Sequence, residues 1–190
     1  MRKVIAQEWI SADGFATDRN GTTRFFEDPK FNEGFEDEQI KLFDRIDAAV
    51  LGGETYKMFS QYWPTANAEK EPIAPKLNAL TKIVFSKTIK EKEAVWHPAI
   101  IRTDDAAHGV RELKMQEGKD LIIWGSLSIV KRLAQENLID EYWLIIVPTF
   151  LGKGKKILTE DTEIHNMELF DSITAPSGAV FLKYRPQKKE

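Results

Sequence analysis

The chain has 190 residues, of which 42% are hydrophobic, and a formal net charge of −3. This length and apolar content are enough for a sizeable core, so we expect one domain covering residues 1–190. Acidic and basic residues are interspersed and cysteine is absent, which argues against nucleic acid as a partner and excludes disulfides, thiolate metal sites and cysteine nucleophiles.

The first half of the chain alternates short apolar runs with amphipathic stretches. Apolar residues at helical spacing, namely Phe35, Ile40, Phe43 and Ile46, indicate the inward side of one helix. The predicted elements of this half are a strand at 4–10 ended by a turn at 11–14, a helix at 33–46, a strand at 48–51, a helix running from 54 to Pro64, and an exposed loop at 64–75.

The second half continues the alternation and closes with a hairpin. Residues 120–158 form a strand, helix, strand unit, whose helix is capped by Ser126 and carries Leu127, Val130, Ala134 and Leu138 at helical spacing. Both strands of this unit are apolar enough to lie inside a covered parallel sheet. The predicted elements are strands at 82–85 and 99–101, a helix from 104 or 105 to about 116, strands at 121–124 and 143–147, and antiparallel strands at 167–173 and 179–185 joined by a turn at 175–178.

Three of the predicted strands end in residues suited to holding an anion. In an open parallel sheet, ligands bind beyond the carboxyl ends of the strands, so these turns can border one crevice. A glycine after a strand more often serves only the turn, and each signal is therefore weak alone. None of the turns matches the spaced triple-glycine dinucleotide fingerprint or the phosphate loop of nucleotide hydrolases. The turns are Gly52-Gly53-Glu54-Thr55, Ser86-Lys87-Thr88 and Gly125-Ser126.

The N-terminus and the hydropathy of the chain bear on location. Two basic residues precede only a few apolar ones before Glu8, so the apolar core of a signal peptide is missing. No apolar run approaches the length that spans a membrane. We expect a cytoplasmic protein with no membrane partner.

Five segments together resemble a known family. Taken in order, they are similar to the dihydrofolate reductase-like proteins that include the reductase domain of the bacterial riboflavin-pathway deaminase-reductase. The resemblance runs from about Val4 to Tyr184 and is most specific in the second and last segments. The segments are VIAQEWISADGFA, AAVLGGETYKMFSQYWP, KIVFSKTI, DLIIWGSLSIVKRL and LIDEYWLIIVPTFLGKGKKIL.

This resemblance implies a fold and an activity. The implied fold is α/β: a three-layer α/β/α arrangement with a mostly parallel central sheet and a C-terminal antiparallel hairpin. The implied activity is an NADPH-dependent reductase acting on a planar nitrogen heterocycle, as in 5-amino-6-(5-phosphoribosylamino)uracil reductase or dihydrofolate reductase. Many members of this family are homodimers, and we therefore expect a homodimer.

The resemblance also assigns cofactor positions. Gly52 and Thr55 fall on the family's cofactor loop and helix start, Ser86, Lys87 and Thr88 on its adenosine-phosphate loop, and Gly125 and Ser126 on its pyrophosphate turn. Family members commonly carry a basic residue where this chain has Gly53, and that residue helps to hold the phosphate that distinguishes NADPH from NADH. Lys87 can supply a replacement cation, since a lysine ammonium is an effective phosphate partner.

On the substrate side, the family's S-x-D-G position makes Asp13 the candidate catalytic residue. A carboxyl beside an apolar ring such as Phe15 can have its pKa raised enough to supply a proton, although Asp-Gly after a strand usually only forms a turn. Trp9, Tyr56 and Trp63 are candidates to stack on the heterocycle, with core packing as the alternative. Glu33, Glu36 and Asp37 lie where folate reductases place an acid, but surface solvation suits all three better.

Other chemistries are disfavoured by the sequence. The histidines, His97, His108 and His165, lack metal-ligand spacing, so we predict no metal site. There is no G-x-S-x-G elbow and no zinc deaminase signature. Lys153, Lys155 and Lys156 can meet a substrate phosphate, but a solvated charged turn explains them better.

The sequence therefore predicts hydride transfer from a nicotinamide cofactor to a pterin-like or ribosylaminopyrimidine-like heterocycle. A rival hypothesis is a protein that keeps the nucleotide crevice without turnover and binds a nucleotide or a flavin-like ligand. A third is that only the scaffold is shared, because one fold hosts many functions.

Overall fold

Strands and helices alternate through most of the chain. The computed structural model describes residues 1–158 and 166–187. Its strands are β1 (Val4–Ser11), β2 (Ile46–Gly52), β3 (Thr81–Phe85), β4 (Ala99–Arg102), β5 (Asp120–Trp124), β6 (Glu141–Val147), β7 (Met167–Thr174) and β8 (Val180–Pro186). Its helices are α1 (Glu36–Arg45), α2 (Gly53–Tyr62), α3 (Ala74–Ala79), α4 (Ala106–Met115) and α5 (Leu127–Gln135), with 3-10 turns at Arg24–Phe26, Pro29–Phe31, Trp63–Thr65 and Glu91–Glu93.

The strands form one sheet in the order β4-β3-β2-β5-β1-β6-β8-β7. Neighbours from β4 to β6 are parallel, whereas β8 is antiparallel to both β6 and β7. The turn at 175–178 joins β7 to β8, as predicted, with Ala175 N–H donating to the Ala179 carbonyl at 2.8 Å. The prediction of a mostly parallel sheet ending in an antiparallel hairpin is confirmed.

Helices cover both faces of the central parallel strands β1, β2, β3 and β5, which confirms the three-layer arrangement. On one face, here called the first face, α1, α2 and α3 bury Leu42, Tyr56 and Leu77 in a core that includes Ile5 of β1. On the second face, α4 and α5 bury side chains such as Leu133 in a separate core. The alternation of side chains along each strand divides the apolar residues between these two cores.

The strand β6 differs from its prediction. Trp143, Ile145 and Val147 are buried, but the alternating residues Tyr142, Leu144 and Ile146 remain partly exposed. The expectation of cover on both faces is therefore confirmed for β5 and wrong for β6. The reason is topological: β1 lies between β5 and β6, so the crossover helix α5 spans β1, and no described helix follows β6.

Helix boundaries also shift for local reasons. The helix predicted from residue 33 begins at Glu36, because Gly34 has φ +90° and interrupts the helical backbone. Leu42 rather than Ile40 is the buried residue on its inner side, with Phe43. The end of α5 comes before Leu138, since Asn137 takes a left-handed φ of +52°.

The short helix α3 begins at the end of the segment predicted as an exposed loop. Within the described residues, no helix is both long enough and apolar enough to cross a membrane.

Candidate functional site

The three predicted junctions lie at the same edge of the sheet. They follow β2, β3 and β5, which are parallel neighbours in the sheet. The carboxyl ends of parallel strands share one edge, where the strand-to-helix turns meet. Gly52, Ser86 and Gly125 each come directly after, or at the end of, one of these strands. This edge is here called the crevice edge.

Side chains at the crevice edge tie two of these junctions together. The backbone N–H of Gly52 donates to Ser126 Oγ at 2.9 Å, and Ser126 N–H donates to Thr55 Oγ1 at 3.0 Å. Ser126 is buried. Its hydroxyl does not cap α5, contrary to the sequence-based expectation, because it accepts the hydrogen bond from Gly52 instead. The starts of α2 and α5 are thus held side by side.

The turn before α5 has an unusual backbone. Gly125 and Ser126 are both left-handed, with φ +61° and +53°. The left-handed backbone conformation costs a serine of the order of 1 kcal/mol, and the surrounding hydrogen bonds must offset this cost. A Cβ added at Gly125 would lie 3.3 Å from Thr55 Cγ2, so glycine also permits the close approach of the two junctions.

The N-termini of α2 and α5 keep their backbone donors free of side-chain caps. By contrast, the carboxylate of Asp105 caps α4 by accepting from Ala107 N–H and His108 N–H. The first N–H groups of a helix lack internal partners and lie at the positive end of its dipole. Two such uncapped ends, joined through Ser126, make a favourable position for an anion.

The third junction approaches the same place. A Cβ added at Gly53 would lie 2.7 Å from Ser86 Oγ, so the start of α2 packs directly against the loop after β3. Ser86 Oγ shapes that loop by accepting from Thr88 N–H at 3.2 Å and from Ile89 N–H at 3.1 Å. Lys87 and Thr88 are exposed.

All of the predicted cofactor residues therefore lie along the crevice edge. Their contact with a cofactor stays a prediction. They are Gly52, Gly53, Thr55, Ser86, Lys87, Thr88, Gly125 and Ser126.

Aromatic side chains line the first face beside this edge. The Trp9 ring stacks on Phe26 with centroids 5.4 Å apart. On the neighbouring strand, Trp124 Nε1–H donates to Gln7 Oε1 at 2.8 Å. Trp9, Phe26 and Trp124 are partly exposed. Together they are here called the aromatic wall.

Sequence reasoning identified Trp9 as a stacking candidate but missed Trp124 and Phe26. A signal for Trp124 is present in the sequence, since this residue directly precedes Gly125 at the end of a strand. Phe26 lies in the long segment between β1 and α1, whose path carries no periodic pattern.

The structure places Tyr56 and Trp63 away from the aromatic wall. Tyr56 is fully buried, and its hydroxyl accepts from Trp96 N–H at 2.9 Å and donates to the Trp96 carbonyl at 3.2 Å. Trp63 follows the last residue of α2, about 15 Å from the start of that ten-residue helix. It packs against Phe59 and Tyr62. The prediction for Tyr56 is wrong, because that ring is enclosed in the core. The Trp63 ring is partly exposed at the opposite end of α2, and its contact with a substrate stays a prediction.

Asp13 also has a different role from the one predicted. Its carboxylate accepts from Ser11 Oγ at 2.6 Å, from Leu151 N–H at 3.1 Å and from Gly152 N–H at 2.7 Å. The Ser11 hydroxyl, followed by these backbone donors, lowers the pKa of Asp13 below 3.8. The expectation of a raised pKa is wrong, since all of these groups favour the anion. Asp13 therefore links the loop after β1 to the loop after β6.

The loops after β1 and β6 also contact each other at other positions. Ala16 N–H donates to the Lys155 carbonyl at 2.8 Å. A Cβ added at Gly154 would fall 1.8 Å from the Thr17 carbonyl oxygen, so only glycine fits there. Lys153, Lys155 and Lys156 are exposed on this loop, consistent with the solvated turn that the sequence favours.

One acid is buried on the other face of β1. Glu8 is 4% exposed, and within the described residues its Oε1 has no hydrogen-bond partner. Its neighbours Ala6 and Ile10 on β1 belong to the second-face core, so strand alternation places Glu8 on that face, away from the aromatic wall. Burial raises the pKa of Glu8 well above 4.5. No pattern in the sequence singles out Glu8.

The remaining candidates lie at the surface or outside the described residues. Glu33, Glu36 and Asp37 are exposed. The side chains of Asp104, His108 and Glu112 are close enough to share a metal ion, but Arg102 already forms ion pairs with both carboxylates at 2.8 and 2.6 Å. His165 lies outside the described residues.

Comparison with known proteins agrees with this geometry. The family model of the RibD C-terminal domain matches residues 2–181. The uncharacterized protein YyaP of Bacillus subtilis is 29% identical over 187 residues, which cover 96% of this chain and 94% of that protein.

Solved structures share the fold at low sequence identity. A putative riboflavin biosynthesis protein from Shewanella sp. PV-4 superimposes with a TM-score of 0.76 at 17% identity, covering 98% of this chain and 99% of that one. A diaminohydroxyphosphoribosylaminopyrimidine deaminase/5-amino-6-(5-phosphoribosylamino)uracil reductase from Thermotoga maritima gives a TM-score of 0.65 at 12% identity. The match covers 98% of this chain and 57% of that longer one.

Proposed function

Because the chain belongs to the RibD C-terminal domain family, we propose that it is an NADPH-dependent reductase acting on a pterin-like or ribosylaminopyrimidine-like heterocycle. The observation that carries the proposal is the pair of uncapped helix N-termini at the crevice edge, joined by the Gly52 to Ser126 hydrogen bond. Two positive helix ends beside glycine turns suit a pyrophosphate, which brings its charges close to backbone N–H groups.

The residues at the crevice edge fit such a coenzyme. Glycine at positions 125 and 52 lets the starts of α5 and α2 lie close together, and Thr55 and Ser126 hold those starts in register. Lys87 is exposed on the neighbouring loop, where its ammonium can pair with the additional phosphate of NADPH. When bound, the nicotinamide supplies the hydride.

The protein's part in catalysis is then mainly orientation. The aromatic wall offers a planar ring an apolar surface on the first face, and the bond from Trp124 to the buried Gln7 fixes the orientation of that indole. Asp13 is not the proton donor in this proposal, because its hydrogen bonds hold it as an anion.

The substrate class rests on the relatives and on the ring-binding surface. The Thermotoga maritima neighbour is a deaminase/5-amino-6-(5-phosphoribosylamino)uracil reductase, which supports a ribosylaminopyrimidine as the substrate. A pterin shares its planar, nitrogen-rich ring, and aromatic faces bind such rings by stacking.

The competing proposal is a protein that binds a nucleotide or a flavin-like ligand without turnover. Gly53 packs tightly against Ser86, so the basic side chain that family members commonly carry at this position cannot enter without displacing Ser86. The lack of this phosphate-binding residue favours the non-catalytic protein. The test measures the loss of NADPH absorbance with dihydrofolate, dihydropterins and ribosylaminopyrimidinones. We expect one compound to oxidise NADPH. Tight nucleotide binding with no oxidation by any compound would favour the non-catalytic protein.

A further inference from the structure

Gln7 is a polar residue in the otherwise apolar first-face surface beside the aromatic wall. Because side chains alternate along a strand, Gln7 of β1 shares its face with Ile5 and Trp9. On the neighbouring strands it lies opposite Trp124 of β5 and Trp143 of β6. The residue is only 2% exposed, and a buried amide is costly unless its polar atoms have partners.

The hydrogen bond from Trp124 fixes the orientation of the Gln7 amide. An indole Nε1–H can only donate, so the Gln7 atom that it contacts at 2.8 Å must be the carbonyl oxygen Oε1. The amide nitrogen Nε2, which carries two N–H donors, therefore points away from the indole. Gln7 thus has an occupied acceptor and a separate pair of donors.

The Gln7 donors have no acceptor within the described residues. In that part of the chain, Glu8 Oε1 is the one polar side-chain atom that is both sealed from solvent and unpartnered, so Gln7 Nε2 must keep an opening. Of the four neighbours of Gln7 on this face, Ile5 and Trp143 are buried, whereas Trp9 and Trp124 are partly exposed. The opening therefore lies toward the aromatic wall, to which both partly exposed rings belong.

We infer that the Gln7 amide donates a hydrogen bond to an oxo group of the heterocycle that stacks on the aromatic wall. The ligand class rests on the proposed function, and the inference adds which ring substituent is recognised. Because Trp124 occupies Oε1, Gln7 offers only donors to a ligand. It selects a ring that brings a carbonyl oxygen over one that brings an amino group, since two facing donors both stay unpaired.

The test compares two ligands that differ at one ring substituent. One is 7,8-dihydropterin, which carries a 4-oxo group, and the other is 2,4-diamino-7,8-dihydropteridine, which carries an amino group in its place. Titration calorimetry without coenzyme measures the affinity for each. We expect the wild type to bind the oxo compound about tenfold more tightly. Equal affinities, tighter binding of the diamino compound or binding of neither compound would overturn the inference.

Two variants separate recognition by the amide from a purely structural role of Gln7. Gln7→Met removes the donors at similar volume and should weaken binding of dihydropterin alone. Trp124→Phe keeps an aromatic ring but frees the amide to turn its oxygen toward a ligand, so binding of the diamino compound should tighten. The ratio of the two affinities should approach one in both variants. A purely structural role would change both affinities together.

Phe26→Leu is the control for these variants, since it removes a stacking ring from the aromatic wall. It should weaken both ligands alike and leave their ratio as in the wild type. If both Gln7→Met and Trp124→Phe keep the wild-type ratio with native circular dichroism, Gln7 does not read the ring substituent.

The calorimetric result can be separated from the reductase activity. Discrimination between the two ligands with no oxidation of NADPH by any heterocycle would support the role of Gln7 and count against the proposed function. Oxidation of NADPH together with equal affinities for the oxo and diamino compounds would support the function and refute the role of Gln7.

Discussion

Ser126 Oγ accepts a hydrogen bond from the backbone N–H of Gly52 at 2.9 Å, joining residues 74 positions apart in the chain. Both groups are buried. Removal of the hydroxyl in Ser126→Ala leaves the Gly52 donor without a partner, and we expect the free energy of unfolding to fall by about 1 to 3 kcal/mol. Denaturant unfolding measures this change. Ser128→Ala, at an exposed position in the first turn of α5, is the control, and equal losses in the two variants would contradict the role of Ser126.

Coenzyme preference should depend on Lys87. We expect NADPH to raise the melting temperature of the wild type more than NADH, since the additional phosphate pairs with the Lys87 ammonium. Loss of that contact in Lys87→Ala should weaken NADPH binding about tenfold, or ~1.4 kcal/mol, and leave NADH binding unchanged. Lys90→Ala, also exposed, is the control. If NADPH and NADH shift the wild type equally, Lys87 does not select between them.

Asp13 should stabilise the protein as an anion rather than titrate during turnover. Its folded pKa is lowered below 3.8, so its contribution to stability is present above that value and lost as pH falls through the lowered pKa. We expect Asp13→Asn to melt at a lower temperature than the wild type at neutral pH and the difference to shrink in acid. Asp44→Asn, at an exposed position, provides the comparison. A shift in the pH profile of turnover near neutrality in Asp13→Asn would instead support an acid role.

Glu8 should give the opposite pH dependence. Its folded pKa is raised well above 4.5 by burial, so the folded protein keeps a proton that the unfolded chain has released. Unfolding therefore becomes easier as pH rises from 4.5 toward the folded pKa. We expect Glu8→Gln, which stays neutral, to flatten the dependence of the unfolding free energy on pH across this window. The exposed Glu117→Gln should leave the slope as in the wild type; an unchanged slope in Glu8→Gln would show that Glu8 is not held neutral.

Much of the fold could be predicted because strand and helix periodicity survive in the sequence. The strand after Arg2 and Lys3, the helix after Asp105 and the hairpin around 175–178 all follow local patterns of apolar spacing, capping or turn residues. The cover over β6 could not be predicted this way. The helix cover over β6 depends on the position of β1 between β5 and β6, and this strand order is a property of the whole sheet.

The same distinction between local pattern and three-dimensional position applies to the candidate site. Glycines and hydroxyl residues after strands marked the crevice edge, because strand ends meet at one side of a parallel sheet. The partner of each side chain depends on three-dimensional position: Tyr56 pairs with Trp96, and Asp13 with the loop after β6. Local sequence gives residue chemistry but not these long-range partners.

The contact between Gly154 and the Thr17 carbonyl has a consequence for how the protein can vary. The loops after β1 and β6 behave as one unit, since any side chain at position 154 would collide with the backbone of the other loop. An insertion or deletion in either loop would need a compensating change of length in its neighbour. In relatives that bind ligands of different size, we therefore expect changes of length first between Asp18 and Phe35. This segment can lengthen independently of the paired loops after β1 and β6.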